Sequence, residues 1–133
     1  MSNARPQATD AELAILKLLW EREPLTAKEI REQLYPSGSP SDHATVHKLL
    51  QRLEQKKLIS RDRSSFAHLF RARVTREALA GNQLEALAEK LTDGSIVPFI
   101  LHAVGSQKLT VGERNEIRRL LNRRKQKRPE VKP

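Results

Sequence analysis

Apolar residues recur at helical spacing through the first third of the chain and predict three helices there. These helices are expected over about residues 10–22, 27–34 and 42–57. The first two begin with a threonine followed three residues later by a glutamate, which is the spacing of a capping box. In that motif the hydroxyl and the carboxylate each accept a free backbone N–H at the helix start, so both starts are well defined.

The third predicted helix has one apolar side and one polar side. It follows a turn-rich segment at residues 36–40, and Ser41 or Asp42 is expected to cap it. Its apolar side is expected to face a core and consists of Val46, Leu49, Leu50 and Leu53. Its exposed side is polar and chemically mixed: His43, Thr45, His47, Lys48, Gln51, Arg52 and Gln55.

The apolar period falls to two after the third helix, which indicates strands. Residues 58–63 and 67–74 are the predicted strands, and residues 64–66 are their short connection. Apolar and basic residues alternate along the second strand, so one side of the hairpin is expected to be buried. Three helices followed by a hairpin is the element order of a winged helix, a helix-turn-helix variant with an added β-wing.

The second half of the chain is predicted to be helical again. Its helices are expected over about residues 76–91, 95–104 and 111–127, and Thr110 with Glu113 supplies a third capping box. The predicted fold class is therefore mainly α with a small β-hairpin. A winged helix-turn-helix domain is assigned to residues 1–75, a C-terminal helical dimerisation domain to residues 76–127, and a basic disordered tail to residues 128–133.

Dimerisation is predicted because the second half carries more apolar surface than a monomer would leave in water. The predicted dimer interface consists of Leu87, Leu91, Ile96, Phe99, Ile100, Ile117, Leu120 and Leu121. Packing of these residues against the first domain of the same chain is the alternative.

Composition removes several classes of function. The chain has no cysteine, which excludes disulfides and thiolate metal sites. It has no apolar run near the ~18 residues of a membrane span, and its first nine residues lack the apolar stretch of a signal peptide. We therefore expect a cytoplasmic protein with no membrane partner and no cofactor.

The net charge of +9 is concentrated in two clusters. Residues 48–73 hold eight lysines and arginines against two acidic residues, and residues 118–133 hold eight against one. A basic cluster favours nucleic acid or an anionic membrane as partner. The first cluster coincides with the third helix and the hairpin, so double-stranded DNA is the predicted partner there. The second cluster fits DNA, an anionic surface or a solvated chain end equally well.

A DNA major groove about 12 Å wide admits one helix, whose exposed side chains reach base edges. The predicted base contacts are His43, Thr45, His47, Lys48 and Gln51. Phosphate contacts fix position without reading sequence. The predicted backbone contacts are Arg52, Arg63, Ser64, Ser65 and Arg71, and Lys56 and Lys57 are also expected to reach phosphates.

Three alternatives compete with a DNA-binding regulator. A winged helix can serve as a protein-interaction module that has only non-specific affinity for DNA. An enzyme is disfavoured because no phosphate-binding glycine loop, nucleophile elbow or zinc-binding helix motif is present. His43 and His47 have a spacing that suits zinc, but no third ligand is evident nearby, so no metal site is predicted.

Four segments of the chain together carry a family resemblance. They are TDAELAILKLLWEREPLTAKEI at 9–30, HATVHKLLQRLEQKKLI at 43–59, HLFRARVTREAL at 68–79 and DGSIVPFILHAVGSQKLTVGERNEIRRLL at 93–121. In this order they resemble the penicillinase-repressor family (BlaI/MecI/CopY). The resemblance implies a winged-helix DNA-binding domain, a helical domain that dimerises, and repression of promoters by occupation of an operator. A two-fold homodimer would match a palindromic operator.

The resemblance also bears on how repression would be relieved. In the β-lactam branch of the family, an upstream sensor or protease triggers cleavage before a phenylalanine that typically follows asparagine. Phe99 looks equivalent, but Pro98 precedes it, so this chain departs from that pattern. The copper branch uses a C-terminal cysteine cluster, which this chain lacks. The sequence names neither the inducing signal nor the operator.

Overall fold

The computed structural model describes residues 6–106 and 108–127, so the predicted tail at 128–133 lies outside the described residues. The elements follow in the order α1 (Asp10–Arg22), α2 (Ala27–Leu34), α3 (Pro40–Gln55), β1 (Ile59–Asp62), β2 (Leu69–Ala72), α4 (Arg76–Leu91), α5 (Val97–Gly105) and α6 (Val111–Lys127). The predicted fold class is confirmed: the chain is mainly helical, with one antiparallel hairpin after the third helix. None of the described helices is long and apolar enough to cross a membrane.

The core lies between α1, α2, α3 and the inner face of the hairpin. Its fully buried members include Ile15, Leu16, Leu19, Ile30, Val46, Leu50, Leu53 and Phe70. Leu25, in the link between α1 and α2, pairs its backbone with Phe70 and thereby adds a third short extended segment beside β2. Burial of these side chains is what fixes the outward faces of α3 and the hairpin.

All three predicted capping boxes are confirmed. Thr9 Oγ1 accepts the Glu12 N–H at 3.2 Å, and Glu12 Oε1 accepts the Thr9 N–H at 3.0 Å. The same reciprocal pair closes the start of α2, with distances of 3.1 and 2.8 Å, and the start of α6, with distances of 3.1 and 3.0 Å. These contacts explain why the predicted starts of the three helices agree with the structure.

The predicted cap of α3 was wrong. Helix α3 begins at Pro40, two residues before the predicted start, and Ser39 caps it by accepting the Asp42 N–H at 3.1 Å. Proline suits the first helical position because its missing N–H would be unpaired there anyway. The helix also ends two residues early, because Lys57 turns the chain with a φ of 62° and Leu58 donates its N–H back to the Leu53 carbonyl at 2.9 Å.

The strands and α5 are shorter than predicted. Four residues of β1 pair with four of β2, from Ile59 opposite Ala72 to Asp62 opposite Leu69, so the wing connection spans residues 63–68. The Asp62 carboxylate accepts the Ser64 N–H at 2.9 Å and turns the chain out of the ladder. Helix α5 begins two residues late, at Val97.

Helix α4 follows the end of β2 after a link of three residues, 73–75, and packs on the winged-helix core with its first turns. Leu79 is part of that core, although the predicted domain boundary at 75/76 assigns it to the second domain. Trp20 Nε1 donates to the Val74 carbonyl at 2.8 Å, and the Arg76 guanidinium lies 5.0 Å from the Trp20 ring centre. The Gln83 side chain accepts the Ala8 N–H at 3.0 Å. The boundary itself stays a prediction.

Candidate nucleic-acid interface

The outward face of α3 presents the predicted base-contact residues to solvent. The exposed members are His43, His47, Lys48 and Gln51, and Arg52, a predicted backbone contact, is exposed on the same helix. Their orientation is fixed because Val46, Leu49, Leu50 and Leu53 on the opposite side are buried. Thr45 is only half-exposed, and its hydroxyl donates to the Ser41 carbonyl at 3.0 Å, which leaves its oxygen lone pairs and methyl group for a ligand.

The turn before α3 is held by a buried arginine. Arg31 Nη1 donates to the Tyr35 carbonyl at 3.2 Å. Gly38 has a φ of 68°, and a Cβ there would lie 2.9 Å from Arg31 Nη1, so glycine serves both the backbone conformation and the close approach. A hydrogen bond from Ser37, followed by bonds from Ser39, holds the pKa of Asp42 below its usual value. These contacts set the position of α3 relative to α2.

An ion pair fixes the wing beside α3. Glu54, on α3, accepts from Arg61 of β1 at 2.7 Å and lies 4.0 Å from Arg63, just beyond β1. The Arg61 guanidinium also stacks 4.9 Å from the centre of the Phe70 ring, which is in the core. Among the described residues, therefore, one carboxylate links the helix to both cations at the base of the wing.

The wing carries the predicted backbone-contact residues on its exposed surface. Arg63, Ser64 and Ser65 lie in the connection, and Arg71 projects from the exposed side of β2. The hydroxyl of Ser64 donates to Asp62 at 2.7 Å, so its oxygen is left to accept rather than donate. The N–H and then the hydroxyl of Ser64 hold the pKa of Asp62 below its usual value, so this carboxylate stays ionised beside Arg71.

The expectation that Lys56 reaches a phosphate was wrong. Lys56 Nζ donates to Glu12 Oε1 at 2.6 Å and to the Gln7 carbonyl at 2.9 Å, so its charge is already paired inside the fold. The Glu12 side chain is only 1% exposed. Burial would raise the pKa of Glu12, but the Lys56 and Thr9 hydrogen bonds outweigh it and hold the pKa below the usual value. Lys57, its neighbour, remains exposed.

Sequence reasoning missed one prominent surface residue and two ion pairs. Phe66, passed over as part of a short connection, is the most exposed of the large apolar side chains described. Glu12 pairs with Lys56 and Glu54 pairs with Arg61, two cations of the first basic cluster, and neither pair was predicted. A break in the polar pattern at Phe66 was visible in the sequence, whereas the two pairings depend on tertiary contacts.

No group of three or more metal-ligating side chains occurs within the part of the chain that the structure describes. His43 and His47 lie one turn apart on the exposed side of α3. Their imidazoles therefore face solvent together with the other polar residues of this face.

Apolar side chains are also exposed to solvent on all three C-terminal helices, α4, α5 and α6. Of the predicted interface residues, Leu87, Leu91, Ile96, Ile100, Ile117, Leu120 and Leu121 are exposed. Phe99 is half-buried. Pro98 and Phe99 lie in the first turn of α5, so the bond between them is in a helical segment.

Three helices, a paired wing and a polar third-helix face define the class of winged-helix regulators. A family model described as Penicillinase repressor matches residues 8–123. The chain is 32% identical over 114 residues to Transcriptional regulator BlaI of Mycobacterium tuberculosis, covering 84% of this chain and 80% of that protein. It is 23% identical over 122 residues to Penicillinase repressor of Staphylococcus aureus, covering 92% and 96%. The chain therefore belongs to the penicillinase repressor family, which consists of transcriptional repressors and not of enzymes.

Two solved structures are also similar. The solution structure of the DNA binding domain of the repressor BlaI is 22% identical, with a TM-score of 0.48, and covers 59% of this chain and 93% of that one. The PcaV transcriptional regulator from Streptomyces coelicolor, in complex with its natural ligand, is 19% identical, with a TM-score of 0.44, and covers 88% and 74%.

Proposed function

We propose that this chain is a sequence-specific DNA-binding repressor that occupies a palindromic operator as a homodimer. The observation that carries the proposal is the outward face of α3, whose polar side chains differ in chemistry and are held outward by a buried opposite face. A solvated helix face needs only charge, whereas base edges require donors and acceptors of several kinds. The relatives are named as a repressor and a transcriptional regulator, which supports the same function.

The geometry of α3 suits the spacing of base pairs. His43, His47 and Gln51 recur every four residues and form a row about 12 Å long, which corresponds to three or four base pairs. Lys48, one residue beyond His47, is next to this row and offers a donor to guanine O6 and N7. Thr45 would contribute its methyl group, which can pack against the methyl group of thymine.

Backbone contacts would hold this helix in register. Arg52 is exposed one turn beyond Lys48, and Arg63 and Arg71 lie on the exposed surface of the wing. Ser65 in the wing connection would donate a hydrogen bond to a phosphate oxygen. Ser64, whose hydroxyl and N–H both donate to Asp62, would reach the DNA backbone through a bridging water. These groups would supply much of the affinity, while the α3 side chains would supply the sequence preference.

The homodimer is proposed from the exposed apolar residues of α4, α5 and α6. Water-exposed leucines and isoleucines on three successive helices exceed the scattered apolar residues normal on a monomer surface. A two-fold dimer would bury the same patch on both copies and would place two α3 helices on two half-sites. In this proposal residues 1–75 bind DNA, residues 76–127 form the dimer, and repression takes place in the cytoplasm.

The test is selection from a pool of random duplex DNA by the full chain at about 150 mM salt, where the Debye length is about 8 Å. We expect a palindrome whose half-sites are about 34–36 Å apart, or a multiple of that. Retention of unselected sequence alone would contradict the proposal and would favour a protein partner for the same surface.

A single substitution then tests the assignment of α3. Lys48→Ala should weaken binding to the selected duplex by about tenfold or more, since one good base contact is worth about 1–3 kcal/mol. Lys17→Ala is the matched control because it removes the same charge from an exposed position on α1. An affinity for Lys48→Ala within a factor of about two of the parent would contradict the role of α3.

A further inference from the structure

The tip of the wing carries a large apolar side chain that the fold does not use. Phe66 is 106% exposed, which means that its ring has at least as much contact with water as in an extended peptide. Its neighbours in the connection, from Arg63 to Ser65, are polar. An aromatic ring in water forgoes the stabilisation that burial of the same ring would give.

The hairpin already contributes one buried aromatic ring, that of Phe70, to the core. Phe70, four residues further on, fills the core at 2% exposure, and Arg61 covers its face. The turn beside Phe66 is already held by the Asp62 carboxylate and Ser64. Phe66 can therefore be replaced without opening the core or the turn.

The surroundings of Phe66 favour DNA as the surface that covers it. The Glu54 to Arg61 ion pair holds the wing beside α3, and the exposed cations Arg63 and Arg71 lie on either side of the tip in sequence. Phe66 is four residues past the end of β1, a reach of up to about 14 Å. With α3 in the major groove, an adjacent minor groove lies about half a helical turn away, roughly 17 Å.

We propose that Phe66 is a minor-groove contact of the wing and that it contributes to operator specificity. Its ring would pack against deoxyribose and base edges at the flank of each half-site, while Arg63 and Arg71 hold the phosphates on either side. Apolar side chains act in this way at base steps that open easily, and the cost of opening depends on the sequence. This inference rests on the proposed DNA-binding function and extends it to base pairs that α3 does not reach.

An apolar contact and an ionic contact differ in their dependence on salt. We expect Phe66→Ser to weaken binding to the duplex selected by the parent protein by about tenfold, which corresponds to burial of roughly half of the ring. The slope of log affinity against log salt should stay unchanged, because no phosphate contact is lost.

Two other variants serve as comparisons. Arg63→Ala should instead flatten that slope by about one unit. Ala67→Ser, at the neighbouring exposed position, is the control and should bind as the parent does.

Two further experiments locate the contact on the DNA: the selection from random duplex DNA repeated with Phe66→Ser, and hydroxyl-radical footprinting of both proteins. With Phe66→Ser, base preference should be lost at the flanks of each half-site and kept at its centre. Hydroxyl radicals attack deoxyribose from the minor groove, so protection of the flanking sugars should also be lost.

The outcomes separate this inference from the function on which it rests. If the parent protein selects no duplex, both are overturned. If the parent selects a palindrome and Phe66→Ser binds it within a factor of two, the minor-groove contact alone is overturned. A loss of affinity that is accompanied by a flatter salt slope or by a lower melting temperature would also overturn it, because the ring would then act through the charges or the fold.

Discussion

The first and second halves of the chain bury their apolar residues to very different extents. In the first half most leucines and isoleucines and the one core phenylalanine are enclosed among α1, α2, α3 and the hairpin. In the second half most large apolar residues are exposed, and Ala88 is the one described residue beyond Leu79 that is buried and apolar. Amphipathic elements thus bury their apolar sides in the first half of the chain and leave them exposed to solvent in the second half. We call the first half the closed region and the second half the open region.

The change from buried to exposed apolar residues takes place along helix α4. Leu79, near its start, is 3% exposed, whereas Leu91, at its end, is 69% exposed. Its first turns are fixed to the winged helix by the Trp20 bond to Val74 and by the Arg76 stacking on Trp20. A small unit with an open apolar face is marginal alone, and a second copy is a common solution. We therefore expect the first half to fold alone and the second half to depend on a partner.

The largest effect should come from removing a core side chain in the closed region. Leu50 is 0% exposed, so Leu50→Ala should lower the free energy of unfolding by about 3–4 kcal/mol through lost burial and an unfilled cavity. Leu121, 66% exposed in α6, is the matched position in the open region. Leu121→Ala should cost less than about 1 kcal/mol in urea unfolding at low protein concentration. Equal losses for the two variants would remove the contrast between the regions.

Self-association is the next largest expected effect and tests the open region directly. Leu120→Asp should weaken dimerisation by about 100-fold or more, because a two-fold interface buries the new charge twice. Asn115→Asp adds the same charge at an exposed polar position of α6 and is the control. Sedimentation at several concentrations measures both variants. If Leu120→Asp and the parent associate equally, the apolar face of α6 is not the interface.

Local sequence patterns were sufficient to predict most of the helices of the fold. The periodicity and the capping residues predicted α1, α2, α4 and α6 with the bounds that the structure has. These features depend on residues three or four apart, which the sequence displays directly. The start of α3 was missed because Ser39 and Pro40 were interpreted as part of a turn, although proline fits a first helical turn equally well.

The candidate interface was less predictable because it depends on contacts between distant segments. The exposed face of α3 follows from its apolar stripe, and so it was predicted. The pairing of Lys56 with Glu12 joins residues 44 positions apart, and nothing local indicates that this lysine is occupied. The Glu54 pair with Arg61 spans only seven positions but requires the hairpin to fold back on α3. A count of charges therefore overestimated the cations available to DNA.

The ion pair between the buried Glu12 and Lys56 should make a smaller contribution to stability, and this contribution should depend on pH. Glu12→Gln should lower the stability of the first region by about 1–2 kcal/mol at neutral pH. That is below the cost of breaking a fully buried pair, because Lys56 is 35% exposed and water screens it. The folded pKa of Glu12 lies below its ordinary value of 4.5. The contribution is therefore complete above that value and is lost as the pH falls through the folded pKa.

Urea unfolding of the parent and of Glu12→Gln between neutral and acidic pH measures this contribution. The gap between the two proteins should be widest at neutral pH and should close in acid. Glu29→Gln is the control, since it changes the same capping-box position in α2, where the lysine partner is missing among the described contacts. A gap that stays constant down to acidic pH would show that the charge of Glu12 does not stabilise the fold.

The smallest expected effect compares two copies of one local motif. The capping boxes of α2 and α6 have nearly the same geometry, with Thr26 and Thr110 each accepting the glutamate N–H at 3.1 Å. Thr26→Ala and Thr110→Ala should each cost about 1 kcal/mol in local helix stability. Because α2 packs into the closed core, Thr26→Ala should lower the melting temperature equally at every protein concentration. Because α6 is open, Thr110→Ala should act mainly through dimerisation, and its effect should change with concentration. Calorimetry over a hundredfold range of concentration distinguishes the two, and identical behaviour would mean that both helices belong to one cooperative unit.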